Sequence, residues 1–160
     1  MKRINYRLYR VSALTSTRFT FVECESEKDL IEYMALKWSG EPSTVVEILN
    51  NGKTPKVAVY TNKYYKELLK KGVNNIFYPN VRELKGTLYR LTDQSIGTVW
   101  FVECENEMVL MNYIAYECEG IPLSVVHISR DGKTPKVAVY TNAYYKDVMK
   151  KRNHNREVWK

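Results

Sequence analysis

Gly52-Lys53-Thr54-Pro55-Lys56-Val57-Ala58-Val59-Tyr60-Thr61-Asn62 recurs letter for letter as Gly132 to Asn142, 80 positions later. Moving outward from this block, the same offset aligns Leu8-Tyr9-Arg10 with Leu88-Tyr89-Arg90, Phe21 to Glu25 with Phe101 to Glu105, and Tyr64-Tyr65-Lys66 with Tyr144-Tyr145-Lys146. No gap interrupts the match, and roughly half of the aligned positions between 6 and 75 are identical. The chain is therefore a tandem duplication: residues 1–78 form repeat copy one, and residues 79–160 form repeat copy two with a basic C-terminal tail.

Within copy one the pattern predicts strand, strand, helix, strand, strand, helix. Ile4 to Val11 and Phe19 to Cys24 are rich in aromatic and β-branched residues and are joined by a Ser/Thr-rich connection, as in a hairpin. Ser26 is placed to cap a helix with Asp29 three residues on; Leu30, Ile31, Met34, Ala35 and Trp38 follow at helical spacing, and Gly40 and Pro42 end it. Copy two repeats that stripe as Leu110, Met111, Ile114, Ala115 and Cys118. Next, Val45 to Leu49 and Lys56 to Tyr60 flank Asn51-Gly52, and copy two has Asp131-Gly132 there, dipeptides suited to a type I′ hairpin turn. Thr61 is read as the cap of a short second helix whose Tyr64, Tyr65, Leu68 and Leu69 make an apolar side, with Gly72 as its stop.

Two ββαββα units with antiparallel sheets make an α+β fold in which both helices of a unit cover one sheet face. Strand two is apolar at both parities, Phe19 and Phe21 against Val22 and Cys24, which predicts a pseudo-twofold arrangement of the copies over the remaining face. The tail from Lys150 to Arg156 reads as a frayed basic segment. No apolar stretch is long enough to span a bilayer, and Met1 to Arg7 lacks the apolar core of a leader. With three cysteines, Cys24, Cys104 and Cys118, and neither a C-x-x-C pair nor histidines at ligand spacing, the expectation is buried reduced thiols, a cytoplasmic location and no metal or other cofactor.

Net charge is +7, divided as 13 basic against 8 acidic residues in positions 1–80 and 12 against 10 in the rest. That balance favours anionic partners. Gly52-Lys53-Thr54 has the last three letters of a P-loop but neither the glycine five residues earlier, where Glu47 and His127 stand, nor a helix after it. The repeated block instead offers Lys53, Lys56 and Tyr60, and again Lys133, Lys136 and Tyr140, as basic and aromatic patches of the kind that neutralise phosphates and stack bases on a sheet.

The catalytic candidates are Glu23 and Glu25 with Glu103 and Glu105, one Glu-Cys-Glu per copy, which would need to meet at a shared Mg²⁺ site. Against this, acids at that position suit the N-terminus of the following helix. His127 and His154 have no counterparts in copy one, where Glu47 and Asn74 stand, and read as structural. The first helix of copy two carries Met108, Val109 and Asn112 where copy one has Lys28, Asp29 and Glu32, an exchange of charge for apolar surface that marks a protein interface or a homodimer contact.

No motif points to a known family. The Lys, Asn and Tyr bias resembles that of small proteins from low-GC bacteria and their phages. The leading expectation is a non-catalytic protein engaging nucleic acid or a nucleoprotein complex, such as a phage-encoded inhibitor of a host nuclease system. A small Mg²⁺-dependent nuclease and a protein-binding or self-associating module are the alternatives.

Overall fold

The computed structural model describes residues 1–39, 41–49, 55–72, 80–129 and 136–158. In chain order the elements are β1 (Lys2–Arg3), β2 (Arg7–Ala13), β3 (Phe19–Cys24), α1 (Glu27–Lys37), β4 (Ser43–Glu47) and α2 (Lys63–Lys71), then β5 (Val81–Glu83), β6 (Thr87–Asp93), β7 (Val99–Cys104), α3 (Glu107–Glu117), β8 (Leu123–Ile128) and α4 (Ala143–Val158). The strands form two four-stranded antiparallel sheets, β4-β2-β3-β5 and β8-β6-β7-β1. The order of strands and helices is roughly that of two ββαββα units, each copy opening on a short additional strand. No helix among the described residues is long and apolar enough to cross a membrane.

Local chemistry accounts for the helix starts. Ser26 Oγ accepts the Asp29 N–H at 3.2 Å and donates to the Asp29 carboxylate at 3.0 Å, and Asn106 does the first of these jobs for Val109 at 3.0 Å. At α2 the cap is Asn62, not Thr61. Its side-chain carbonyl accepts the Tyr64 N–H at 2.9 Å, while the Thr61 hydroxyl turns back to the Ala58 carbonyl at 3.3 Å. Asn142 caps α4 identically, at 2.8 Å to Tyr144.

The segment expected as a fourth strand, Lys56 to Tyr60, is instead a one-residue bridge, Val46 to Lys56, with Val126 to Lys136 in the second copy. Pro55 has no N–H to extend the ladder toward the turn. Past Val57 the backbone bonds become local, Val59 N–H to the Val57 carbonyl and Asn62 N–H to the Val59 carbonyl, and the chain coils toward α2. The dipeptides Asn51-Gly52 and Asp131-Gly132 lie outside the described residues.

The fourth strand comes from elsewhere. The compact units are Ile4–Leu84, and Met1–Arg3 together with Lys85–Lys160. Hence β5, the first strand of copy two, completes the sheet of copy one, and β1, the first strand of copy one, completes that of copy two. In the first sheet Arg82 stands opposite Glu23, and their side chains pair at 3.0 Å. Glu83 on β5 accepts a hydrogen bond from the buried Tyr33 of α1 at 2.5 Å. In the second sheet Lys2 stands opposite Glu103, and the Arg3 guanidinium lies 5.6 Å from the Trp100 ring centre.

Helices pack on one face of each sheet. In one unit Tyr9, Val11, Val22 and Cys24 meet Leu30 and Met34 of α1 and Tyr65 of α2; in the other Tyr89, Leu91, Val102 and Cys104 meet Leu110 and Ile114 of α3 and Tyr145 of α4. The two cores differ by a matched exchange. Copy one has Thr20 in its second strand and Trp38 at the end of its first helix; copy two has Trp100 and Cys118. Both indoles donate to the equivalent tyrosine, Trp38 to Tyr33 at 3.1 Å and Trp100 to Tyr113 at 3.2 Å. One indole therefore fills the space above that tyrosine from the helix and the other from the strand.

Trp38→Cys should cost about 3–5 kcal/mol by opening a cavity. Adding Thr20→Trp, which rebuilds the arrangement of the other copy, should recover part of that loss in urea unfolding, whereas Thr20→Trp in the parent should overpack the core and destabilise it.

Candidate nucleic-acid interface

Tyr64 and Tyr65 seat α2. Tyr65 is buried in the core, and the Tyr64 hydroxyl donates to Glu32 of α1 at 2.6 Å. With that side held inward, helical geometry turns Lys63, Lys66, Lys70 and Lys71 outward, and all four are exposed. In the second unit Tyr144 shares hydrogen bonds with the Asn112 amide at 3.1 and 3.3 Å, Tyr145 enters the core, and Lys146, Lys150 and Lys151 are exposed on α4. Lysines at three equivalent positions of the second helix thus recur in both units.

The basic tail is helical, not frayed: α4 runs on to Val158. Its anchor is Arg152, buried, paired with Glu119 and 6.0 Å from the Tyr116 ring centre. Copy one has Gly72 at that position, with φ of 88°, and α2 ends there. The sequence marks this difference only as Gly against Arg; Glu119 and Tyr116 are brought to Arg152 by tertiary packing.

The residues expected at the site are distributed as follows. Lys53 and Lys133 lie outside the described residues. Lys56 and Lys136 are exposed at the bridge positions. Tyr60 is half-buried: its hydroxyl donates to the Glu41 carbonyl at 2.8 Å, it also hydrogen-bonds the Ser43 hydroxyl, and its ring meets Tyr65 edge to face at 5.4 Å. Tyr140 is more open, but its hydroxyl accepts the Leu123 N–H at 3.2 Å and donates to the Ile121 carbonyl at 3.3 Å, with its ring edge to face on Tyr145 at 5.4 Å. Both rings are joints between the second helix and the preceding turn. The lysines of α2 and α4 were absent from the sequence-based site, although their helical spacing and their repetition were legible.

Glu23 is buried and held by Arg82, whereas Glu25 and Glu105 are exposed. Among the described residues no three His, Cys, Asp or Glu side chains gather as a metal site would require. His127 lies beside the Tyr89 ring at 5.4 Å, and His154 is exposed on α4. Met108 is exposed and Val109 half-buried; Asn112 is tied to Tyr144. The three cysteines are free and buried, and burial pushes the Cys24 thiol up to about 12 and the Cys104 thiol to about 11.

Comparison with protein-family models, with curated proteins and with solved structures returned no match.

Arg82→Ala should leave the buried Glu23 carboxylate without its cation and destabilise the chain by roughly 3 kcal/mol, whereas Arg7→Ala, which breaks the exposed pair to Glu47, should cost under about 1 kcal/mol. Urea unfolding of both variants separates the two cases. The thiols carry a pH prediction. Because the folded state holds the Cys24 proton more tightly than the unfolded chain does, that contribution to stability is complete below pH 9.0 and is lost as pH rises toward about 12. The native protein should react with a thiol reagent at neutral pH only as fast as it unfolds.

Proposed function

We propose that the protein is a non-catalytic binding module that holds nucleic acid, free or within a nucleoprotein, by its phosphate backbone through the outer faces of α2 and α4. The observation that carries this reading is the repetition of Lys66, Lys70 and Lys71 as Lys146, Lys150 and Lys151, exposed in both units. First-helix lysines were not kept: Met108 and Glu117 of α3 stand where α1 has Lys28 and Lys37. The second helix is thus the element on which the two copies agree in surface charge. From Lys63 to Lys70 the outer face extends roughly 10 Å, enough to meet about two or three phosphates. Lysines supply charge without reading sequence, and the tyrosines that would stack bases are bound to the protein's own backbone. Affinity should therefore depend strongly on salt and weakly on base sequence.

Fluorescence anisotropy against a duplex and a single strand, over a salt series, tests this. If Lys66, Lys70, Lys146 and Lys150 each neutralise one phosphate, the duplex salt slope should be about −3.6, and Lys70→Gln with Lys150→Gln should bring it down by about 2. Tyr140→Phe should leave the slope unchanged. Absence of binding to either oligonucleotide at low salt would end this reading.

A further inference from the structure

We infer that the protein associates with further copies of itself, head to tail, by seating an apolar ridge on α3 of one molecule in an apolar groove beside α2 of the next. The ridge is Met108 and Tyr116, two helical turns apart with Asn112 between them, on one side of α3 over roughly 12 Å. Met108 and Tyr116 are each about half exposed, at 51% and 52%. Copy one carries Lys28, Glu32 and Leu36 there, so the ridge belongs to copy two alone.

The groove belongs to the other copy. It encloses about 510 Å³ between Leu14 at the β2–β3 hairpin, Pro42, Tyr65 and Leu69 of α2, with Lys66 at its border. Leu14 is 67% exposed and Leu69 40%. Copy two has Gln94 and Met149 at those positions. Divergence has therefore given one copy a protruding apolar helix side and the other an apolar recess suited to receive one.

Charge decides the occupant. From residue 103 to residue 129 there are five glutamates and neither a lysine nor an arginine, although the chain as a whole is at +7. Glu105, Glu107 and Glu117 are exposed around the ridge. The recess has Lys66 at its border, with Lys63 and Lys70 exposed on the same helix, and Glu41, the one acid lining it, is neutralised by Arg18 at 2.7 Å. An acidic ridge and a basic-rimmed recess on one chain complement each other between molecules, and because the two patches differ, the contact is heterologous and propagates. Nothing in this inference rests on the nucleic-acid reading, and its test contains no nucleic acid.

Sedimentation velocity of the full chain at low salt, from low to high micromolar, should give concentration-dependent species beyond the dimer that dissociate as salt is raised. Tyr116→Ala on the ridge and Leu14→Ser in the groove should each weaken association by about tenfold or more. Leu14 is exposed, so Leu14→Ser should melt with the parent; the Tyr116 ring also lies beside Arg152, so Met108→Ala is the ridge variant whose melting temperature should match the parent, and Leu69→Ser is the second groove variant. The deciding arm is mixing. Tyr116→Ala retains an intact groove and Leu14→Ser an intact ridge, so the mixture should form one-to-one dimers and stop there. A parent that is monomeric throughout overturns the inference and leaves the ridge to a foreign cationic segment; a mixture that fails to form dimers overturns it in favour of a symmetric contact.

Discussion

Each sheet of this protein would end in an open edge at its second strand if the repeat had to complete itself. A bare edge of unpaired N–H and C=O groups is a template for uncontrolled pairing. Both edges are closed by the short first strand of the other copy, β5 on β3 and β1 on β7. That constraint orders much of what surrounds it. On β3 it brings Arg82 to the buried Glu23 and Glu83 to Tyr33, so one three-residue strand satisfies a core-side hydroxyl and a buried carboxylate. On β7 the same position of the repeat brings Lys2 opposite Glu103 and Arg3 to the Trp100 ring. The chemistry differs, but in each case a cation from the added strand faces a glutamate of the second strand.

Divergence between the copies has been absorbed in compensating pairs. The tryptophan moved from helix to strand while its indole kept the same tyrosine partner, and the second-helix tyrosine kept its partner position while Glu32 became Asn112. A carboxylate accepts from a phenol strongly, and the hydrogen bond to Glu32, with a smaller contribution from burial, pushes Tyr64 up to about 12. An amide both donates and accepts, so it keeps the bridge without charge. The outcome is a first helix that lost charge in copy two and a second helix that kept its lysines in both.

The duplication, the ββαββα order and the helix-side core were legible in the sequence because they depend on short-range regularities: an exact internal offset, a capping Ser with Asp three residues on, apolar residues at helical spacing. The lysine faces of α2 and α4 were equally present in the chain, but the alternation in Lys56 to Tyr60 drew attention to a strand. Beyond Val57 the Val59 N–H turns to the Val57 carbonyl instead of to β4, and the chain coils toward α2. Tyr60 and Tyr140 looked like stacking platforms because nothing local shows that their hydroxyls reach carbonyls on the far side of a loop, 19 residues away in each case.

By itself, then, the sequence determined that there are two copies, where the central hairpin and the two helices of each lie and which sides of them are apolar, since these follow from propensity and periodicity acting over a few residues. Tertiary structure alone decided which copy receives each short edge strand, that Glu23 is held by a cation 59 residues away, and that Arg152 carries α4 seven residues beyond the point where α2 stops. Those outcomes depend on distant backbone and side chains meeting at fixed distances, and no local pattern in the chain encodes such a meeting.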